Sequence, residues 1–229
     1  MNAARLNSVV DIFLPRFCAA CQKKLRPEEE VICPGCLGSI KRPDQNKITS
    51  EFRRKFEKEK VISEFAPAFL FEEGKAFQSL IHSIKYRGSY KNALFLGRLT
   101  GECLKDRILP WKCDMILPVP LHPAKRAERG YNQSYYIAKG LSRATGIPVR
   151  NNILKRKRFT ETQTALSILE RKANMKGAFG IKSGAGLEGK VIIVLDDVIT
   201  SGSTVSECGR VLLEKGAEKV YAVSSALAL

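Results

Sequence analysis

Val191-Ile-Ile-Val-Leu-Asp-Asp-Val-Ile-Thr-Ser-Gly-Ser-Thr204 sets the architecture of this chain. Its first five residues form an unbroken aliphatic run, which predicts a buried strand over Val191–Leu195. Two carboxylates follow, then a hydroxyl-rich turn, then a helix expected over Ser203–Lys215 and a further strand over Lys219–Ser224. Strand, helix and strand in succession imply a mostly parallel sheet, and ligands of such sheets bind where strands end and helices begin. Backbone N–H groups at that helix start, with the hydroxyls of Thr200, Ser201, Ser203 and Thr204, can wrap a phosphate. Gly202 allows the backbone to approach it closely.

Asp196 and Asp197 stand just before this turn, where two carboxylates would repel a phosphate unless they address another part of the ligand. Ionised carboxylates only accept hydrogen bonds and hydroxyls donate them, so the vicinal hydroxyls of a ribose are the natural target. The expected ligand is a ribose 5-phosphate unit. The competing reading is an acidic pair that merely caps a helix, which leaves the run of hydroxyls unexplained.

Upstream, the same alternation begins near Glu64. Phe65–Phe71 reads as a strand, Phe77, Leu80, Ile81 and Ile84 as one face of a helix, Lys91–Ile108 as another helix, and Met115–Val119 as a buried strand. A helix over Ser134–Thr145 and a strand over Ile147–Leu154 are expected next, before an irregular basic stretch. After the Met115 strand, a loop carries Lys125, Arg126 and Arg129 and then Gly130, three cations that suit a diphosphate; a solvated basic helix start is the alternative.

Cys18, Cys21, Cys33 and Cys36 form two C-x-x-C pairs, a spacing that turns four thiolates onto one ion and predicts a structural Zn2+. A segment this short has too little core to fold unaided, so the metal would supply its folding energy. Two disulfides or a redox pair are the competing readings. Cys103, Cys113 and Cys208 stand alone and read as small core residues. These features divide the chain into residues 1–60, an N-terminal amphipathic helix, zinc module and basic connector, and residues 61–229, the nucleotide-binding fold.

With 44% apolar and 27% charged residues the composition is that of a globular protein. The longest aliphatic run is far short of the roughly 18 residues a membrane helix needs, so no membrane insertion is expected. No cleavage site follows the first helix, and a cytoplasmic location with reduced thiols is expected. The net charge of +16 points to anionic partners. It is not spread evenly: residues 150–180 hold eight basic and two acidic side chains, residues 181–229 five and six.

The acidic pair with its Thr-Ser-Gly-Ser-Thr loop resembles the PRPP-binding motif of type I phosphoribosyltransferases, PRPP being 5-phosphoribosyl diphosphate. More narrowly, the two C-x-x-C pairs, Leu117-Pro-Val-Pro-Leu-His122, Arg129-Gly-Tyr-Asn-Gln133, Arg171 to Asn174 and the PRPP motif together resemble the ComF family of competence-associated proteins. The resemblance implies the α/β type I phosphoribosyltransferase fold, with Asp196 and Asp197 on the ribose hydroxyls and Thr200–Thr204 on the 5-phosphate. It also implies pyrophosphate on Lys125, Arg126 and Arg129, a mobile flap containing Lys155, Arg158, Thr162, Gln163 and Arg171, and Mg2+ bound with PRPP. Transfer of the phosphoribosyl group to an acceptor is then the expected activity, with Asp196, Asp197 and Arg129 at the reacting centre. A non-catalytic PRPP sensor and a component that binds single-stranded DNA beside other competence proteins are the rival functions, the latter with Phe159 or Tyr135 available for stacking.

Overall fold

The computed structural model describes residues 15–86, 88–158 and 175–228. Within the cysteine segment Phe17 and Lys24 form an antiparallel bridge, and α1 (Pro34–Gly38) opens between the second pair of cysteines. α2 (Gln45–Phe52) starts at Asp44, whose carboxylate accepts from the Lys47 N–H, and runs into a wide π turn over Arg53–Glu57. β1 (Phe65–Phe71), α3 (Ala76–Tyr86), α4 (Tyr90–Ile108), β2 (Met115–Pro118), α5 (Pro123–Arg129) and α6 (Gln133–Thr145) follow. The short β3 (Leu154–Arg156) and β4 (Phe179–Ile181) precede β5 (Val191–Ile199), α7 (Ser203–Leu213) and β6 (Lys219–Ala228).

The main sheet has the order β1-β6-β5-β2, and every neighbouring pair is parallel. Alternation along the strands sorts side chains to its two faces. Ile193, Leu195, Tyr221 and Val223 pack with α3, α4 and α6, whereas Ile192, Val194, Val220 and Ala222 pack with α7 and the β3–β4 pair. This is the parallel sheet covered on both sides that the sequence implies. α4 and α6 meet backbone to backbone: a Cβ at Gly97 would lie 2.0 Å from the Ile137 carbonyl oxygen, so only glycine lets α6 approach so closely. The start of α6 is thereby held at the carboxyl end of the sheet.

Several elements differ from expectation for local physical reasons. β5 does not stop at Leu195 but carries the acidic pair within the strand, because the parallel ladder with β6 continues through Asp196–Ser224 to Ile199–Leu227. Instead of a strand over 147–154 there is one parallel bridge, Val149 with Ile116. Pro148 offers only its carbonyl, which accepts from the Ile116 N–H, and the chain leaves the sheet after the Arg150 N–H bonds Ile116. The basic stretch expected to be irregular contains β3, paired antiparallel to β4. The cationic segment after β2 is the helix α5, with His122 Nδ1 accepting from the Ala124 N–H at 3.3 Å as its cap. The expected N-terminal helix and residues 159–174 lie outside the described residues. Among the described residues no helix is long and apolar enough to cross a membrane.

Candidate functional site

The carboxyl end of β5 brings the acidic pair against groups from three other elements. Asp197 is 4% exposed, and its Oδ2 lies 2.9 Å from Lys85 Nζ at the end of α3, within ion-pair distance although not aligned as a hydrogen bond. Asp196 Oδ1 accepts from the Ser134 hydroxyl of α6 at 3.0 Å and from the Asp197 N–H at 2.9 Å. Burial alone would raise both acids, yet they part. For Asp197 the Lys85 charge and the Val198 N–H outweigh burial and hold its carboxyl below the usual range. Asp196, left with burial and the neighbouring Asp197 charge, is pushed up to about 7. Lys85 in turn is raised by Asp197.

Gly202 takes φ +78° before the first turn of α7, and a Cβ there would come within 2.8 Å of the Phe56 ring. The hydroxyls of Ser201 and Ser203 bond each other at 2.8 Å, and both residues are buried, while Thr200 is exposed and Thr204 half-buried. Thus Asp196, Asp197 and Thr200–Thr204 form one continuous rim at the sheet's carboxyl end.

Cations surround this rim. Lys125 is lowered by burial and by the charges of Arg129, Arg156 and Lys85, and Lys85 feels Arg129, so these four side chains share one region of field. The guanidinium of Arg129 stands 5.8 Å over the Tyr86 ring, and its buried Nε has no hydrogen-bond partner among the described residues. Arg156, over the Phe179 ring at 5.4 Å, is lowered by burial while the Asp196 charge opposes that shift. Alternation in β3 turns Arg156 inward and leaves Lys155 exposed, so Arg156 rather than Lys155 faces the acids. Arg126 lies apart, lining a cavity beside the edge strand. Arg158 is exposed and donates to the Lys176 carbonyl, while Thr162, Gln163 and Arg171 lie outside the described residues.

At the other end of the chain the sulfurs of Cys18, Cys21, Cys33 and Cys36 all lie within 4.8 Å of one another. Cys21 and Cys33 Sγ are 3.8 Å apart, the edge of a tetrahedron whose metal–sulfur distance is about 2.3 Å. The Cys33 N–H points at Cys18 Sγ at 3.4 Å, a bond that stabilises a thiolate. The donor set therefore fits a tetrahedral ion that prefers sulfur, and the cluster could hold one. Cys208 is fully buried in the second core, and Cys103 and Cys113 pack against the first.

The phosphoribosyl transferase domain family matches residues 131–227, which span α6 to β6 and include the acidic pair and its turn. Competence protein F of Haemophilus influenzae is 34% identical over 145 residues, covering 62% of this chain and 63% of that protein's length. Competence protein ComFC of Bacillus subtilis is 26% identical over 213 residues, covering 92% of this chain and 82% of its own, so the likeness reaches the cysteine segment. Over most of its length the chain is similar to competence proteins of the ComF family. Its core is the type I phosphoribosyltransferase fold. Among solved structures, the B. subtilis glutamine PRPP amidotransferase aligns with 89% of this chain and 33% of its own at 19% identity and a TM-score of 0.37, too loose a likeness to carry weight.

A second feature shares Arg156 with this site: a cavity of about 600 Å³ between α5, the start of α6 and β3. Tyr131, Tyr135 and Tyr136 line it with Arg126, Lys155 and Lys182, and none of the described lining residues is acidic. Sequence reasoning missed Lys85, Ser134 and Arg156, which complete the site. Lys85 closes an amphipathic helix whose apolar face was plain, and a cation one residue beyond Ile84 was the available signal.

Proposed function

We propose that this ComF-like protein binds PRPP and transfers its 5-phosphoribosyl group to an acceptor. N–H groups and hydroxyls of Thr200–Thr204 take the 5-phosphate, Asp196 and Asp197 take the ribose hydroxyls, and Lys125 and Arg129, with Arg156, face the diphosphate. The acceptor's lone pair forms a bond to C1 as the C1–oxygen bond breaks; its electrons leave with pyrophosphate, and the acceptor gives up a proton. No side-chain nucleophile is needed, because the cations stabilise the leaving charge and the acids hold the sugar next to the developing cation. Mg2+ takes hard oxygen ligands and would be held chiefly by the diphosphate and hydroxyl oxygens of the ligand, with half-buried Asp196 the carboxylate best able to reach it. Its chemistry there is neutralisation of the leaving group. Zn2+ in the four-cysteine shell would serve structure, fixing residues 1–60 against the 61–229 fold.

The observation that carries this reading is the acidic pair beside a group of cations and just before the hydroxyl-rich turn that opens α7. Pyrophosphate release from PRPP and Mg2+ in the presence of heterocyclic amine acceptors tests it. Asp196→Asn with Asp197→Asn is expected to reduce the rate by roughly 100-fold or more. A rate untouched by the double change rejects the site; tight PRPP binding by calorimetry with no pyrophosphate formed favours a sensor instead.

A second reading is supported by the tyrosine-lined basic cavity and by relatives named for competence. Stacking tyrosines beside cations suit single-stranded DNA, linking the protein to DNA uptake with other competence proteins. Binding should weaken with salt, by a slope of about −0.7 in log K for each phosphate neutralised. Failure of an oligothymidylate to bind at low salt removes this reading and leaves the first intact.

A further inference from the structure

The charged segment between the cysteine module and β1 looks like a solvated connector, yet the last cation of its Arg53-Arg54-Lys55 run is inside the protein. The Lys55 side chain is 2% exposed and sits in the wide π turn that ends α2. An ammonium has three donors, and all three are directed: to the carbonyl of Thr200, to the carbonyl of Ala228 at 3.4 Å, and to Glu51 Oε2 at 2.9 Å. Thr200 opens the anion-binding turn and Ala228 ends β6, so one side chain ties the carboxyl ends of the two central strands. The next residue continues the contact, with the Phe56 ring packed beneath Gly202.

We propose that Lys55 is a positioning residue for the phosphate turn, aiming its N–H groups at the ligand. The reason is peptide geometry. In a trans peptide the carbonyl of one residue and the N–H of the next point in opposite directions, and no peptide bond among the described residues is cis. Drawing the Thr200 carbonyl inward to Lys55 therefore turns the Ser201 N–H outward, to the face where a phosphate would lie. Phe56 holds the following glycine in its left-handed conformation from below, so the loop is fixed before ligand arrives. The buried ammonium also adds a positive charge behind the turn, which favours a dianion in front of it. Lys55 touches no ligand in this arrangement and acts only through the loop.

This inference rests on the ribose 5-phosphate reading of the turn, and the experiment separates the two. Ribose 5-phosphate and inorganic pyrophosphate are each titrated calorimetrically into the full chain, as purified, and into Lys55→Met well below its melting temperature. The expected result is a rise of roughly tenfold or more in the Kd for ribose 5-phosphate, from loss of a charged hydrogen bond that orients the donors. The pyrophosphate Kd, set by the α5 cations, should move less than about twofold, a split that general loosening would not produce. Equal ribose 5-phosphate affinity in the two proteins overturns the positioning role, as does a matching loss for both ligands. No binding of ribose 5-phosphate by the unaltered chain overturns the reading of the turn, and the role of Lys55 with it. If Lys55→Met does not fold, Glu51→Gln removes only the carboxylate that anchors the ammonium. Faster amide exchange at Ser201–Thr204 with a weaker ribose 5-phosphate Kd is then expected, and no change in either overturns the proposal.

Discussion

Asp197→Asn is expected to destabilise the protein by roughly 3 kcal/mol, while Asp196→Asn, one residue earlier, stabilises it at pH 8. Asp197 is the buried partner of Lys85, whose side chain is only 24% exposed, so its removal leaves a desolvated ammonium without its counter-charge. Asp196 is in the opposite position. Its folded-state pKa is raised to about 7, so it favours the folded state below the ordinary carboxylate range and loses that contribution as pH rises toward 7. Above that, the fold carries two adjacent carboxylates against a single close lysine. An asparagine at 196 keeps an oxygen for Ser134 and the Asp197 N–H but sheds the second charge. Melting curves at pH 8 should place Asp196→Asn above the unaltered protein by at least about 1 kcal/mol, roughly 2–4 °C. The gap narrows as pH falls below 7 and closes only below the ordinary carboxylate range, where the aspartate is protonated in both states. Asp197→Asn should melt lower by roughly 6–12 °C at pH 8. A lower melting point for Asp196→Asn at pH 8 would contradict this electrostatic account. Such a site is stabler without its function, which is expected where a cost in folding is accepted for a ligand.

The second large effect concerns the cysteines. Cys21→Ser with Cys33→Ser is expected to abolish metal binding and to open the segment from Phe17 to Leu37 to protease, leaving the sheet domain resistant. Structural zinc contributes on the order of 10 kcal/mol to small modules, far more than the few side chains of this one can supply. Its own apolar cluster comprises Cys18, Leu25 and Ile32, with Ala19 and Val31 packed on the main core. Arg98 of α4 adds an ion pair to Glu30 at 2.9 Å, but both are well exposed and such a bridge contributes little. Elemental analysis should find one Zn2+ in the unaltered chain and none in the variant. A metal-free protein with unchanged protease resistance would show that packing alone holds the module.

The parts of this molecule that local pattern encodes were legible before the structure. An aliphatic run, two acids and a hydroxyl turn are contiguous, so the β5–α7 unit could be read directly from Val191 to Thr204, and the thiol spacing likewise. What escaped was joined over long separations. Lys85 meets Asp197, Ser134 meets Asp196, and Lys55 meets Thr200 only through the tertiary fold. Among Arg53, Arg54 and Lys55, sequence gives no reason to bury the third; the π turn, which places Lys55 and Phe56 inward together, makes that choice. A signal existed in Ile48, Phe52 and Phe56, an i, i+4, i+8 stripe that marks the connector as a packed helix. β3 escaped because Pro148 and two asparagines interrupt the expected strand, moving the ladder to Leu154–Arg156 and exchanging Arg156 for Lys155 as the cation beside the acids.

The most direct measurement is a crystal structure of the chain soaked with PRPP and Mg2+. The 5-phosphate is expected on the N–H groups from Ser201 to Thr204, with the ribose hydroxyls donating to Asp196 and Asp197. A phosphate bound elsewhere, with Asp196 still held by Ser134 and Asp197 by Lys85, would contradict it.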